Sequence, residues 1–222
     1  MRALLIDMDG TLIETESRWW RAEIRVMESH GSTWTTDDQN QAIGGPLQAV
    51  VDYMAAKANT DATKIHKEIV GEMFNSFTND PPSLQPGWAE VLEEAVKENL
   101  KIALVTASNR LLAEALLKST KLDRYFEVVV TSDDLPRTKP HPDPYLHAAE
   151  SFGLEVLDCL AFEDSNTGIS SSLAAGMPTI AVPERVLLDA RRGMRIFNGM
   201  KGLDISYLRQ VHKELVKEWQ EV

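Results

Sequence analysis

Leu4-Leu5-Ile6 is an unbroken apolar run closed by Asp7, the pattern of one short buried strand. Beyond Thr11 the pattern changes to helical spacing. Glu16 to His30 predicts a helix with Trp20, Ile24 and Met27 on one side, ended by Gly31. Thr35-Thr36-Asp37-Asp38 offers the next helix start, Gly44-Gly45-Pro46 a break, and Leu47 to Ala58 a further helix with Val50, Val51 and Met54 together. From Asp61 onward Ile65, Ile69, Met73 and Phe77 recur every four residues. No convincing strand falls in this stretch.

From Pro86-Gly87 the chain alternates. Trp88 to Glu98 predicts a helix, Leu100 to Val105 a strand, Asn109 to Thr120 a helix, and Phe126 to Val130 a strand. Pro142 to Phe152 reads as a helix, Cys159 to Phe162 as a strand, Asn166 to Ala175 as a helix, and Pro178 to Val182 as a strand. Met194 to Asn198 fits an edge strand, and Leu208, Val211, Leu215 and Trp219 stripe a closing helix. Repeated strand-helix units with right-handed crossovers predict an α/β fold whose parallel sheet carries helices on both faces. The change of pattern predicts two domains. Residues 1–14 and 85–222 form the α/β core, and residues 15–84 form a helical domain inserted after the first strand. The hinges fall near Ile13 to Glu16 and Asn79 to Leu84.

With 222 residues the chain can bury a sizeable core, and no apolar run approaches a membrane span. The formal net charge of −11 argues against nucleic acid or an anionic membrane as partner, while a small phosphate ester held locally stays compatible. One cysteine, Cys159, excludes an internal disulfide and fits a reducing compartment, so a cytoplasmic location is expected. Its apolar setting reads as packing rather than nucleophilic chemistry.

Asp7 and Asp9 flank Met8 where the first strand ends, and ligands bind at the carboxyl ends of strands in such sheets. Two like charges beside an apolar strand favour a bound cation or protonation of one. Gly10 permits unusual backbone angles, so nearby amides can turn toward an anion. Thr106-Ala107-Ser108-Asn109 follows the second strand. Ser108 or Asn109 suits a helix cap, and Thr106 with neighbouring amides suits phosphate at a helix N-terminus. Lys139 lies in a segment stiffened by Pro140, Pro142 and Pro144. Glu163 and Asp164 end the fourth strand, and paired carboxylates there suit magnesium, which takes hard oxygen ligands.

In this order the residues resemble the haloacid dehalogenase superfamily of hydrolases. Its first motif reads Asp-x-Asp-Gly-Thr or Val, matched by Asp7 to Thr11. Thr106 matches the hydroxyl of the second motif, and the Ala-Ser that follows resembles the sugar-phosphate branch. Lys139 opens a complete Lys-Pro-x-Pro-Asp-x-Tyr pattern, and Glu163-Asp164 matches the last motif. The resemblance implies a Rossmann-like core and a helical cap. It also implies a nucleophilic Asp7, with Asp9 as acid and then base, and phosphate contacts from Gly10, Thr106, Ala107 and Lys139. Magnesium would be held by Asp7, the Asp9 carbonyl and Asp164, with Glu163 joining directly or through water. His141 and Asp143 read as structural.

The reaction implied is hydrolysis of a small phosphorylated metabolite, a sugar or polyol phosphate. A phosphosugar mutase of the β-phosphoglucomutase type is the alternative. Those mutases typically carry a histidine in the first cap helix and an arginine after a later cap glycine. Here Ser17-Arg18-Trp19-Trp20 and Gly44-Gly45-Pro46-Leu47-Gln48 hold neither, so water is favoured as acceptor. Dehalogenation lacks support because superfamily dehalogenases do not retain the second aspartate as acid/base, and a silent regulatory protein would leave the filled catalytic positions unexplained. Of Trp19 and Trp20, one can face substrate while the other packs in the cap.

Overall fold

The computed structural model describes residues 1–42, 46–183 and 188–221. Its six strands are β1 (Ala3–Ile6), β2 (Lys101–Val105), β3 (Val128–Val130), β4 (Cys159–Glu163), β5 (Thr179–Ala181) and β6 (Met194–Ile196). All pair in parallel, in the order β3-β2-β1-β4-β5-β6. β1 therefore lies between β2 and β4, and the chain reverses its direction of sheet growth there. That switch point is where an open α/β sheet offers its crevice.

Between β1 and β2 come α1 (Glu16–Ser29), α2 (Thr36–Ala42), α3 (Leu47–Ala58), α4 (Ala62–Asn79) and α5 (Trp88–Lys97). The remaining helices are α6 (Arg110–Thr120), α7 (Asp143–Ser151), α8 (Asn166–Ala174) and α9 (Ile205–Gln220). Side chains alternate across the sheet. Leu4, Ile6, Leu104 and Phe162 pack with residues of α5, α6 and α9, whereas Ala3, Leu5, Val105 and Ala161 pack with Tyr145 and Ala148 of α7. Burial on both faces explains the continuous apolar runs of the central strands.

The helical stretch is tied down at its connections. Ile13 bridges Leu84 in antiparallel fashion, Glu14 N–H donates to Ser83 O at 3.3 Å, and Gln85 N–H donates to Leu12 O at 2.9 Å. Outgoing and returning chain thus run side by side. Trp88, fully buried, donates Nε1–H to Thr11 O at 2.7 Å and stacks edge-on against Phe162 at 5.0 Å. A contact of that geometry contributes about 0.5–1.5 kcal/mol beyond burial, and here it braces the loop after β1. α4 packs on α1, α3 and α6, so the inserted helices rest on the sheet-bearing part of the chain.

Two local expectations shift and one choice is decided. α1 buries Ala22, Glu23, Val26 and Met27, leaving Trp20 and Ile24 half-buried, so its inward face is rotated and includes a carboxylate. β3 is shorter than its apolar run because the pairing with β2 starts at Val128, with a 3₁₀ turn at Asp123–Tyr125 before it. Of the two cap candidates, Asn109 caps α6, its side chain accepting Leu112 N–H at 3.0 Å. The expected break at Gly44-Gly45 lies outside the described residues.

Candidate active site

Strand register assembles the site. Ile6 is opposite Phe162 and Leu104, so the next residues, Asp7, Glu163 and Val105, stand side by side at the sheet's carboxyl edge. Lys139, delivered by the loop before α7 across a cis Lys139–Pro140 peptide, fills the gap between them. Its Nζ donates to Asp7 Oδ1 at 2.6 Å, Glu163 Oε1 at 2.6 Å and Val105 O at 2.7 Å. Three donors meet three acceptors, which is the full capacity of an ammonium. Tyr145 of α7 adds an O–H bond to the same Glu163 Oε1 at 2.6 Å.

Asp164 comes from the β4–α8 turn. Thr11 Oγ1 donates to its Oδ1 at 3.1 Å, and carboxylate oxygens of Asp7, Glu163 and Asp164 lie within 4.8 Å of one another. Gly10 makes the approach possible. With φ at +81°, it faces Asp164 so closely that a Cβ would lie 2.2 Å from Oδ2. Gly168 of α8 plays the matching part under Glu163, where a Cβ would lie 1.9 Å from Oε2.

The electrostatics follow from burial. It pushes the Asp7 carboxyl up to about 7, Lys139 pulling down and Glu163 and Asp9 pushing up. Burial, then the charges of Asp7 and Glu163, holds Asp164 well above the usual carboxylate range. For Lys139 burial acts downward, but Asp7 and Glu163 outweigh it and hold the ammonium above its ordinary value. One cation among three carboxylates, two of them buried, leaves the cluster short of positive charge. Glu163 Oε2 is also buried without a hydrogen-bond partner. A hard divalent cation answers the shortage, and these oxygens fit magnesium.

Asp9 is held differently. Ser108 Oγ donates to Oδ2 at 2.8 Å, while Thr15 Oγ1 and Trp19 Nε1 donate to Oδ1 at 2.8 Å and 3.2 Å. The first comes from the β2–α6 turn, the others from the start of the helical stretch. Thr106 accepts Ser108 N–H at 3.0 Å, which leaves its own hydroxyl proton to donate elsewhere. Gly10 N–H, expected to face an anion, donates instead to Ile13 O at 2.9 Å.

These groups open on a cavity of about 420 Å³ lined by Asp7, Asp9, Thr106, Ala107, Lys139 and Asp164 on the sheet side and by Trp19, Glu23, Gln39 and His66 on the helical side. That volume suits a small metabolite. Glu163, fully buried, does not line it. The contacts of Ser108, Thr15 and Trp19 with Asp9, and of Tyr145 with Glu163, are not visible in the sequence. Tyr145 closes the Lys-Pro-x-Pro-Asp-x-Tyr pattern, which was the available signal. Cys159 is buried, and burial first, then Asp158, pushes its thiol up to about 12, consistent with packing. Asp143 accepts from Arg137 at 2.8 Å and His141 O from Ser171 at 2.5 Å, both structural contacts. No helix among the described residues is long and apolar enough to cross a membrane.

A buried aspartate paired with a lysine at the switch point of a parallel sheet, with a second aspartate two residues on, defines a hydrolase of the haloacid dehalogenase type. Residues 4–182 match the haloacid dehalogenase-like hydrolase family, and the chain belongs to it. It is 32% identical over 185 residues to hexitol phosphatase B of Escherichia coli strain K12, covering 82% of this chain and 83% of that protein. To the phosphorylated carbohydrates phosphatase of Thermotoga maritima it is 31% identical over 181 residues, covering 81% and 84%. In fold it resembles CbbY from Rhodobacter sphaeroides, solved in complex with phosphate, with a TM-score of 0.83 at 23% identity over 94% of this chain and 99% of that one.

Proposed function

We propose that this chain is a magnesium-dependent phosphatase that hydrolyses a small sugar or polyol phosphate through an aspartyl-phosphate on Asp7. The observation that carries the reading is the pair of unlike carboxylates at one cavity. Asp7 is buried against Lys139, while Asp9 is held by three neutral donors within reach of the same space. Such unlike surroundings separate a nucleophile from an acid/base group.

Asp7 attacks phosphorus in line, and a carboxylate oxygen–phosphorus bond forms as the ester bond to the alcohol oxygen breaks. Asp9 gives that oxygen its proton. Asp9 then takes a proton from water, whose oxygen attacks the aspartyl-phosphate and releases Asp7 and inorganic phosphate. Lys139 and the Thr106 hydroxyl, with the amide after it at Ala107, neutralise phosphoryl oxygens. Asp7, Asp164 and the Asp9 carbonyl would hold magnesium, which supplies charge neutralisation at the phosphoryl group when bound. Glu163 holds Lys139 through Oε1, which accepts from Lys139 and Tyr145, and its unpartnered Oε2 would serve the metal directly or through water.

Residues 15–84 act as the cap over this site, and residues 1–14 with 85–222 as the core. The paired connections at Ile13 and Leu84 serve as hinge. Hydrolysis of polyol or sugar phosphates is the activity named for the two curated relatives, which supports the same substrate class here.

The test is phosphate release from hexose, pentose, polyol and sugar-acid phosphates, with magnesium and with chelator, beside Asp7→Asn. Conversion of β-glucose 1-phosphate to glucose 6-phosphate is followed in parallel with a bisphosphate present. Magnesium-dependent release lost in the variant is expected. Isomer conversion without net release would overturn the reading in favour of a mutase.

A further inference from the structure

The cavity's two walls differ in charge. Among the described lining residues Lys139 is the only permanently cationic side chain, and it belongs to the sheet edge. The helical wall presents Glu16, Trp19, Glu23, Gln39, Gln48 and His66, with no lysine or arginine among the described residues. A second phosphate or a carboxylate on the substrate would lie here beside the buried Glu23 carboxyl without a fixed countercharge, which is unfavourable. Hydroxyl groups would meet acceptors and donors of their own kind.

Glu23 is the focus of this wall. It lies four residues after Trp19 on α1, so the two share a helix face about 6 Å apart along the axis, and Trp19 touches Asp9. Trp34 Nε1 donates to Glu23 Oε2 at 3.0 Å and also to Gln39 Oε1 at 2.9 Å. Gln39 is itself a hydrogen-bond partner of the Glu23 carboxyl. A carboxylate offers about four acceptor positions, so two neighbours leave capacity for a ligand. Burial pushes this carboxyl up to about 7, so it can also present a proton near neutrality. Trp34 and Gln39 hold this carboxyl in place on a wall that is open to a ligand.

Resting on the phosphatase reading above, we infer that Glu23 is a specificity-determining residue that hydrogen-bonds hydroxyls of the substrate's tail, so that the enzyme selects phosphomonoesters with a neutral polyhydroxylated tail and rejects those carrying a second phosphate or a carboxylate.

The experiment compares kcat/KM for a hexitol phosphate, a sugar-acid phosphate, a sugar bisphosphate and p-nitrophenyl phosphate in the wild-type chain and in Glu23→Gln. Glutamine keeps an acceptor for Trp34 and nearly the same shape, so a structural role alone leaves the specificity ratios in place. Binding of the hexitol phosphate is measured by calorimetry in Asp7→Asn and in Asp7→Asn with Glu23→Gln, which gives a readout without turnover. The expected result is a wild-type preference for the hexitol phosphate over both charged-tail esters. The hexitol phosphate to p-nitrophenyl phosphate ratio should fall about tenfold in Glu23→Gln, carried mainly by KM, with a matching loss of calorimetric affinity; tenfold is the low end for a hydrogen bond to a charged group. Wild-type hydrolysis that favours charged tails, or ratios and affinities unmoved by Glu23→Gln, overturns the inference and leaves the phosphatase standing. No magnesium-dependent release from any ester overturns both.

Discussion

The indole Nε1 of Trp19 donates to Asp9 Oδ1 at 3.2 Å, joining the first helix of the inserted stretch to the loop after β1. Thr15 reaches the same oxygen at 2.8 Å and Ser108 the other at 2.8 Å. Both oxygens of Asp9 are therefore engaged from two sides of the cavity, which fixes the carboxyl plane. On the proposed mechanism Asp9 must meet the leaving oxygen in one orientation, and such holding favours it.

Trp19→Phe keeps the ring and removes the donor. A hydrogen bond to a charged group contributes about 1.5–3 kcal/mol, and the two remaining hydroxyls soften its loss. Steady-state kinetics should show kcat lower by roughly tenfold, with a smaller change in KM. An unchanged kcat would mean that Thr15 and Ser108 suffice.

Lys139 offers a test by stability. Lys139→Ala strands the buried carboxylates of Asp7 and Glu163, and breaking a buried pair in this way costs about 3–5 kcal/mol. Urea unfolding should show a lower midpoint, and Asp7→Asn combined with Lys139→Ala should recover part of the loss. Strict additivity of the two changes would deny the coupling.

The sheet and most of its helices were legible because buried parallel strands are short apolar runs and the helices carry regular stripes. The acid pair, Lys139 and Asp164 were legible because each stands at a strand end or in a proline-stiffened turn. What could not be read was long-range partnership. Ser108 is 99 positions from Asp9 and looks in sequence like an ordinary cap, and only the neighbouring turns of β1 and β2 bring them together. Glu163 reads as a metal ligand, direct or through water, beside Asp164, but the bonds its Oε1 accepts from Lys139 and Tyr145 leave no trace in the sequence. Glu23 was hidden because a charged residue in an amphipathic helix is assigned to solvent, and the rotation of α1 reversed that.

Glu23 also sets a pH dependence of stability. In the unfolded chain its carboxyl ionises near 4.5, and in the folded protein burial, opposed by Trp34 and aided by Glu16, raises this to about 7. Between those values the native state binds more protons, so this contribution is full below pH 4.5 and is lost as pH rises through 7. The gap corresponds to about 3 kcal/mol. Glu23→Gln removes it, so thermal unfolding should find the variant more stable than wild type at pH 8, with the difference vanishing toward pH 5. A constant difference across that range would contradict the burial of a titrating carboxyl.

The closeness of Gly10 to Asp164 predicts how metal and fold are linked. A ligand that binds only the native state stabilises it by about 2.7 kcal/mol at one hundred times its Kd, so magnesium should raise the wild-type unfolding temperature and chelator should return it. Gly10→Ala places a methyl 2.2 Å from Asp164 Oδ2 at a backbone angle of +81°, which forces the carboxylate aside. The variant should unfold at a lower temperature without metal and show little of the magnesium increment. Asp164→Asn separates the two effects. It removes an acid whose ionisation burial and the neighbouring carboxylates oppose, and should raise the metal-free unfolding temperature, yet it should also lose most of the magnesium increment. A full increment in Asp164→Asn would show that the cation is held without Asp164 and would move the metal site away from the β4–α8 turn.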